Sequence, residues 1–186
     1  MVLKFVWGIT GSGDYLQETV NIMKKVIEDF EVKVTVIVSK EGELVLKWYK
    51  LFKPLKNLFS KFYVEISPNR PFLAGPLQRG KYQFLFVSPA TGNTVAKIVH
   101  GISDTLITNC VSQSIKGYVP VYIYPVDQKL GELTTILPDG SKLKLRMRKI
   151  DVQNAELLRN MEGITVFSHP KEIIDVVKDK MDEINE

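Results

Sequence analysis

The sequence predicts an α/β domain built on a doubly wound, mainly parallel sheet, with a C-terminal β-hairpin. Two observations lead to this prediction. Segments with the apolar patterns of strands and of helices alternate along most of the chain, which is typical of a parallel sheet with helices on both faces. Near the carboxyl end, two segments of alternating polarity flank Pro138-Asp139-Gly140, and this turn signal predicts a hairpin.

The first half of the chain contains two strand signals and two helix signals. A strand is predicted over 2–7, and a helix over 14–29, where apolar residues recur at helical spacing. The β-branched, mostly apolar run at 32–38 predicts a central parallel strand. A further helix is predicted over 43–52, and Pro54 is expected to end or bend it.

The second half begins with a segment rich in proline and glycine at 67–80, which predicts an ordered loop. The remaining predicted elements are a strand at 81–87, a helix at 94–107, a strand at 120–124, the hairpin, a helix at 152–161, a strand at 164–167 and a last helix from 170.

Composition narrows the classes of function. The chain has 186 residues, of which 45% are hydrophobic, so residues 1–186 are expected to form a single domain. No apolar run reaches the roughly 18 residues of a membrane span and no cleavable signal is apparent, so a cytoplasmic protein without membrane contact is expected. The net charge of +4 does not indicate a nucleic-acid binder.

A single cysteine, Cys110, excludes an internal disulfide and a four-thiolate iron–sulfur cluster within one chain. Any electron carrier must therefore be organic or belong to a partner. No metal site is expected, and Cys110 is interpreted as a buried, inert thiol.

The turn after the first strand has the composition of an anion-binding loop. Thr10, Gly11, Ser12 and Gly13 can direct backbone N–H groups, two hydroxyls and a helix N-terminus at a phosphate. The G-x-G-x-x-G pattern fails because its third small position falls on Leu16, so a mononucleotide is favoured over a dinucleotide. The alternative is that the glycines serve only a tight turn and close helix packing.

Ser39, at the tip of the second predicted strand, could add a hydroxyl to this pocket, or it could be an exposed turn serine.

The second candidate loop runs from Ser88 to Asn93. In an open α/β sheet, loops at the carboxyl ends of the strands meet over one crevice, so this loop is expected near the first. Gly92 leaves room for a flat ring, and Asn93 can pair with a ring edge. The helix that follows favours a ligand that gains negative charge, as a flavin does on reduction. The alternative is a helix capped by Thr91 or Asn93 after a proline turn.

These two loops carry a resemblance to a known family. "ITGSG" at 9–13 and "PATGNTVAKIVHGISDTLIT" at 89–108 resemble the flavoprotein family of FMN-dependent cysteine decarboxylases, flavin prenyltransferases and dihydromethanopterin reductase, whose signature is P-A-S-A-N-T followed by A-K-x-x-x-G-x-x-D. "YPVDQ" and "RKIDVQNAELLRNMEGI" are similar to the archaeal flavoprotein group of this family, thought to accept electrons from ferredoxin. The matching positions are Pro89, Ala90, Asn93, Thr94, Ala96, Lys97, Gly101 and Asp104.

The resemblance implies a Rossmann-like flavoprotein fold, FMN as cofactor, and a homo-oligomer with FMN near a subunit interface. Thr10, Gly11, Ser12, Gly13 and Ser39 would face the phosphate; Ser88, Ala90, Thr91, Gly92 and Asn93 would face the ring; and Asp104 and Thr108 would support the site. Thr91 and Gly92 stand where the family has Ser and Ala, which leaves the ring contacts at these positions open.

The leading functional hypothesis is an FMN-binding electron-transfer protein that accepts electrons from ferredoxin or a similar acidic protein and passes them to an unidentified acceptor. Alternatives are a dihydromethanopterin reductase-like enzyme and a flavin carrier. A cysteine-decarboxylase activity is disfavoured because the segment Tyr124–Lys129 lacks the Met and Asn of P-x-M-N-x-x-M. No catalytic residue is assigned.

A basic row at Lys142, Lys144, Arg146 and Arg148 alternates with apolar residues, so all four charges are expected on one face of a strand. This face is either a solvated sheet edge or a docking surface for an acidic redox partner.

Overall fold

The structure, a computed structural model, describes residues 2–185. Its strands are β1 (Leu3–Ile9), β2 (Val32–Val38), β3 (Lys61–Val64), β4 (Phe84–Ala90), β5 (Val121–Pro125), β6 (Glu132–Ile136), β7 (Lys142–Arg146) and β8 (Ile164–Val166). Six of them form one sheet in the order β3-β2-β1-β4-β5-β8, and every neighbouring pair is parallel. The predicted fold class, a doubly wound parallel sheet with a C-terminal hairpin, is confirmed.

The helices are α1 (Leu16–Asp29), α2 (Lys40–Trp48), α3 (Phe52–Leu58), α4 (Ala74–Gln78), α5 (Gly92–Val99), α6 (Leu106–Lys116), α7 (Lys149–Arg159) and α8 (Ile173–Asn185), the last preceded by a 3₁₀ turn at Pro170–Glu172. Among the described residues, no helix is long and apolar enough to cross a membrane.

Two apolar cores lie on opposite faces of the sheet. Along β1, Phe5 and Trp7 enter the core beneath α1, α2, α3 and α8, whereas Val6 enters the core beneath α4, α5, α6 and α7. Successive side chains of a strand point to opposite faces, so a strand covered on both sides must be apolar throughout. The Phe5 and Phe84 rings stack with centroids 4.4 Å apart, which joins β1 to β4 inside the first core.

The register of the central strands determines where the site forms. β1 lies between β2 and β4, and Gly8 of β1 pairs with Val87 of β4. The carboxyl ends of β1 and β4 therefore lie at the same edge of the sheet. β2 and β3 lie on the far side of β1, and β5 and β8 lie on the far side of β4. In doubly wound sheets, this reversal of strand order opens the crevice in which ligands bind.

The prediction of one helix over 94–107 was wrong. The structure has α5 and α6 instead, separated by a turn in which Gly101 has a φ of 71°. Thr105 caps α6 by accepting a hydrogen bond from the N–H of Thr108, which in turn bonds back to Thr105 in a capping box. A left-handed glycine followed by a capped helix start separates two helices, and apolar periodicity does not reveal such a separation.

The preceding strand and loops also differ from the prediction. β4 starts three residues later than predicted and continues to Ala90, so Ser88 lies in the strand. Pro54 lies in the first turn of α3, where a missing N–H costs no helical hydrogen bond, and therefore does not end α2. The short strand β3 was not predicted, and the predicted loop at 67–80 contains α4.

The hairpin strands β6 and β7 pair antiparallel and form a separate two-stranded sheet. All five residues of β7 are exposed, so its apolar side chains Leu143 and Leu145 do not join the main core. Arg148 lies beyond the end of β7 and is ion-paired with Asp151, so the expectation of four charges on one strand face was wrong for Arg148.

Candidate functional site

The loops after β1 and β4 are joined by Thr10. Its hydroxyl donates to the carbonyl oxygen of Pro89 at 2.8 Å and accepts from the backbone N–H of Thr91 at 2.9 Å. The backbone N–H of Thr10 also donates to Pro89, at 3.3 Å. Because Thr10 is only 2% exposed, water does not replace these bonds, and the two predicted loops form one continuous rim.

Ser88 supports this rim from below. Its carbonyl accepts from the indole N–H of Trp7 at 2.8 Å, and its hydroxyl lies 3.1 Å from that of Thr19. Ser88 is fully buried, so its polar groups are satisfied inside the protein. The structure therefore gives Ser88 the role of orienting the loop.

The glycines of the first loop are required by close packing. A β-carbon at Gly11 would lie 2.7 Å from that of Glu41, and one at Gly13 would meet the ring of Tyr49, 2.8 Å from its Cζ. Within residues 2–185, the N–H groups of Gly11 and Gly13 make no hydrogen bond to the protein, while Ser12 accepts from the N–H of Asp14 at 3.2 Å. Close packing therefore accounts for glycine at both positions, and anion binding by their N–H groups stays a prediction.

Ser39 begins α2 at the same edge. Its hydroxyl accepts from the N–H of Gly42 at 3.0 Å, which makes it the N-cap, and its own N–H donates to the carbonyl of Ile9 at 3.0 Å. The start of α2 therefore lies against the end of β1, where its positive helix end adds to the field around Gly11.

The second loop ends in a capped helix. The Thr91 hydroxyl accepts from the N–H of Thr94 at 3.3 Å, so Thr91 is the N-cap of α5. Asn93, in the first turn, is exposed. The capping interpretation is correct for Thr91, and the positive end of α5 lies beside the loop after β1, where the Thr91 N–H donates to Thr10.

Asp127 and Asp151 are functional candidates that sequence reasoning missed. A β-carbon at Gly92 would lie 2.7 Å from Oδ1 of Asp151 and 2.9 Å from Oδ2 of Asp127. Both carboxylates therefore lie against the first residue of α5. The signal in the sequence was Gly92 itself, which stands where the resembling family has alanine.

Arg148 holds one of these carboxylates. Its Nε donates to Oδ2 of Asp151 at 2.7 Å and its second guanidinium nitrogen donates to Oδ1, also at 2.7 Å. Burial raises the pKa of Asp127 above its usual value, and the negative charge of Asp151 raises it further; the N–H of Gly92 and the charge of Arg148 oppose this rise.

Asp104 and Thr108 lie at the turn into α6 and make local contacts. Asp104 is exposed and accepts from the ammonium group of Lys97 at 2.9 Å, while Thr108 completes the capping box of α6. Glu65, which sequence reasoning also missed, is 8% exposed. Burial raises its pKa, and hydrogen bonds from the N–H groups of Leu106 and Lys40 oppose this rise.

A cavity of about 180 Å³ opens beside the first loop, between α1, β5 and the base of the hairpin. Tyr15 lines it with a left-handed backbone, at a φ of 57°, an unusual conformation for an aromatic residue. The Tyr15 ring lies edge-on to that of Tyr124, with centroids 5.1 Å apart, and faces the His169 ring on another side. Nothing in the sequence pattern had indicated this cluster.

The residues present fit a ligand with an anionic tail and a flat ring. The N–H groups of Gly11 and Gly13, which have no hydrogen-bond partner in the described part of the chain, and the start of α2 suit the tail, while the backbone N–H groups at the start of α5 suit the ring. Thr10 fixes the distance between these two parts.

A family model described as Flavoprotein matches residues 2–186. Among curated proteins, the chain is 52% identical to an uncharacterised protein of Methanocaldococcus jannaschii, with 95% of each chain covered. It is 35% identical to a dihydromethanopterin reductase (acceptor) of the same organism, with 93% of this chain and 95% of the relative covered.

Among solved structures, the chain resembles DmrB of Burkholderia xenovorans, crystallised with FMN and described as a cubic protein cage for redox transfer. The TM-score is 0.82 at 28% identity, with 99% of this chain and 98% of DmrB covered.

Proposed function

The chain belongs to the flavoprotein family. We propose that it is an FMN-dependent oxidoreductase that reduces a C=N bond of a pterin, a substrate class suggested by the relatives named dihydromethanopterin reductase (acceptor). Family membership confirms the predicted class of cofactor, a flavin, and FMN is the form bound in the DmrB crystal structure. The observation that supports the proposal is the bridge from Thr10 to Pro89 and Thr91, which joins the glycine loop after β1 to the start of α5.

Each part of this rim has a defined task. The N–H groups of Gly11 and Gly13 would bind the phosphate of FMN, and the start of α5 would lie along the ring. FMN, when bound, supplies the capacity to accept and donate electrons in pairs or singly. The protein contributes position, a positive field from the helix ends and two carboxylates, and the buried floor of Trp7 and Ser88 keeps water from beneath the rim.

The test combines cofactor binding with turnover. Purified protein titrated with FMN should show the shifted absorption of a bound flavin, and it should reduce dihydromethanopterin when an artificial donor supplies electrons. Gly13→Ala, which sets a methyl group against Tyr49, should weaken FMN binding at least tenfold. Gly8→Ala, whose added carbon meets only ordinary contacts at 3.5 Å, is the matched control. Absence of FMN binding by the unaltered protein would refute the proposal.

A second candidate function, electron transfer from ferredoxin, is favoured by one observation. β7 presents Lys142, Lys144 and Arg146 on a fully exposed strand, and among the described residues only Lys144 of the three forms an ion pair, with Glu132 at 3.9 Å. A positive surface of this kind speeds encounter with an acidic protein. Ferredoxin would then be the electron donor for the reductase, so the two functions are compatible. A flavin carrier would bind FMN without reduction by any protein donor.

We also propose a homo-oligomer with FMN near a subunit interface. Asn93, in the first turn of the ring-binding helix, is exposed in one protomer, so a neighbouring chain could complete its surroundings.

A further inference from the structure

We propose that Asp127 holds and delivers the proton that accompanies reduction in this crevice, with Asp151 and Arg148 as its fixed partners. The inference rests on the proposed function and deepens it, because it selects a proton-coupled reduction over simple passage of electrons.

Asp127 lies beside the first residue of α5. Oδ2 of Asp127 lies 2.9 Å from the point where a β-carbon of Gly92 would be, at the first residue of α5. Gly92 belongs to the loop that faces the ring, so a group carried by Asp127 is at the ring side of the crevice. A methyl group at position 92 would displace both carboxylates, which gives a physical reason for glycine at this position.

The carboxylates of Asp127 and Asp151 are not equivalent. The side chain of Asp151 is only 7% exposed, and both of its oxygens accept from Arg148 at 2.7 Å. A bidentate pair of this kind fixes both oxygens of the carboxylate in place. Asp127 lies in the loop after β5 and is half-buried, so it is the member of the pair that is open to proton exchange.

The groups around Asp127 have opposing effects on its pKa. Asp151 on α7 and Asp14 in the first loop disfavour its ionised form, as does burial, while Arg148 on α7 and the N–H of Gly92 on α5 favour that form. Burial and the acidic neighbours prevail, and the pKa of Asp127 is raised. A carboxyl group with a raised pKa keeps its proton to a higher pH than an ordinary aspartate, as is expected of a proton donor.

The proposed step accounts for both electrons and both protons of the reduction. Reduction of a C=N bond requires two electrons with one proton, delivered to carbon as hydride by the reduced cofactor, and a second proton on nitrogen. The O–H bond of Asp127 breaks as the N–H bond of the product forms, and the electron pair of the O–H bond stays on the carboxylate. Asp127 then regains a proton from solvent through its exposed side.

The experiment has two parts. In the protein without cofactor, carboxyl carbon NMR should give Asp127 a pKa above the ordinary aspartate value of about 3.9. The pKa of Asp127 should be lower in the Asp151→Asn variant. In the FMN-loaded protein, spectroelectrochemistry should give a midpoint potential whose pH dependence bends where Asp127 titrates. Asp127→Asn should lose this bend, and Asp175→Asn, which removes an exposed carboxylate on α8, should keep it.

The outcomes separate this inference from the proposed function. An Asp127 that titrates in the ordinary range, or a bend that persists in Asp127→Asn, overturns the proton-holding role even if FMN binds and turnover occurs. If the unaltered protein binds no FMN, the proposed function fails while the NMR titration still decides the state of Asp127. If the Asp127→Asn variant fails to fold, the shift in the pKa of Asp127 caused by Asp151→Asn serves as the deciding measurement.

Discussion

The Thr10 hydroxyl and the Pro89 carbonyl oxygen lie 2.8 Å apart and join two loops that are 79 residues apart in sequence. Replacing Thr10 with valine keeps the shape of the side chain and removes this bond and the one from Thr91. Since the Pro89 carbonyl is buried and the Thr91 N–H is partly buried, the free energy of unfolding should fall by about 1–3 kcal/mol, as measured by urea denaturation, and FMN should bind more weakly.

Thr165→Val, at an exposed position on β8, is the matched control and should leave FMN binding unchanged. Equal FMN affinities of Thr10→Val and the unaltered protein would contradict the role given to this bridge.

The contact between Gly92 and the two carboxylates predicts a steric penalty. Gly92→Ala should lower the free energy of unfolding by about 1–3 kcal/mol, because the added methyl group overpacks against Asp127 and Asp151. Gly8→Ala, made in β1, should be tolerated better because its nearest neighbour is 3.5 Å away. Thermal or urea unfolding of both variants checks the order, which would be reversed if the carboxylates move aside freely.

The buried carboxyl of Glu65 predicts a pH-dependent stability. Burial raises its pKa in the folded protein, so its stabilising contribution is complete below the unfolded pKa and is lost as pH rises through the folded pKa. The stability of the unaltered protein relative to Glu65→Gln should therefore be greater at pH 4 than at pH 7. Urea denaturation at both values checks the sign, and Glu31→Gln, at an exposed site, corrects for the loss of one charge.

Cys110 is predicted to be inert in the folded protein. It is fully buried in α6, and burial followed by the charge of Glu65 raises the pKa of its thiol to about 12. Because the thiolate is the reactive form, a disulfide reagent should not label Cys110 at pH 8 until denaturant is added. Rapid labelling without unfolding would contradict this assignment.

Charge reversal on β7 tests the docking surface. Exchanging Lys142, Lys144 and Arg146 for glutamate should slow reduction of bound FMN by ferredoxin at least tenfold at low salt, with a smaller effect at high salt. Stopped-flow absorbance measures the rate. The control replaces Lys25 and Lys178, exposed on α1 and α8, and should retain the original rate. An unchanged rate in the β7 variant would exclude this surface.

The parts of the fold predicted from the sequence are those with long apolar patterns. β2 has a β-branched run whose bounds were predicted exactly, since burial on both faces demands such residues. The four-residue strand β3 was missed because its alternating burial spans too few residues to form a pattern. The break between α5 and α6 depends on Gly101 and a capping box, which are local geometry rather than periodicity.

The candidate site was predicted only in part for a similar reason. Thr10 and Thr91 lie in motifs whose composition indicates an anion and a ring, so sequence reasoning found both loops. Asp127 and Asp151 lie far from those motifs in sequence: the pairing of β5 with β4 brings Asp127 to Gly92, and the packing of α7 against α5 brings Asp151 there. Side chains that meet through helix packing have no spacing rule that a single sequence could reveal.

The order of strands in the sheet has a consequence for biosynthesis. β1 and β4 are neighbours in space, yet β2, β3 and four helices are made between them. A ribosome must therefore release the chain past Ala90 before the crevice can close, and long-range parallel pairing of this kind is slow. Until then the glycine loop has no opposing wall, so a ligand that contacts both loops can bind only after β4 has paired with β1.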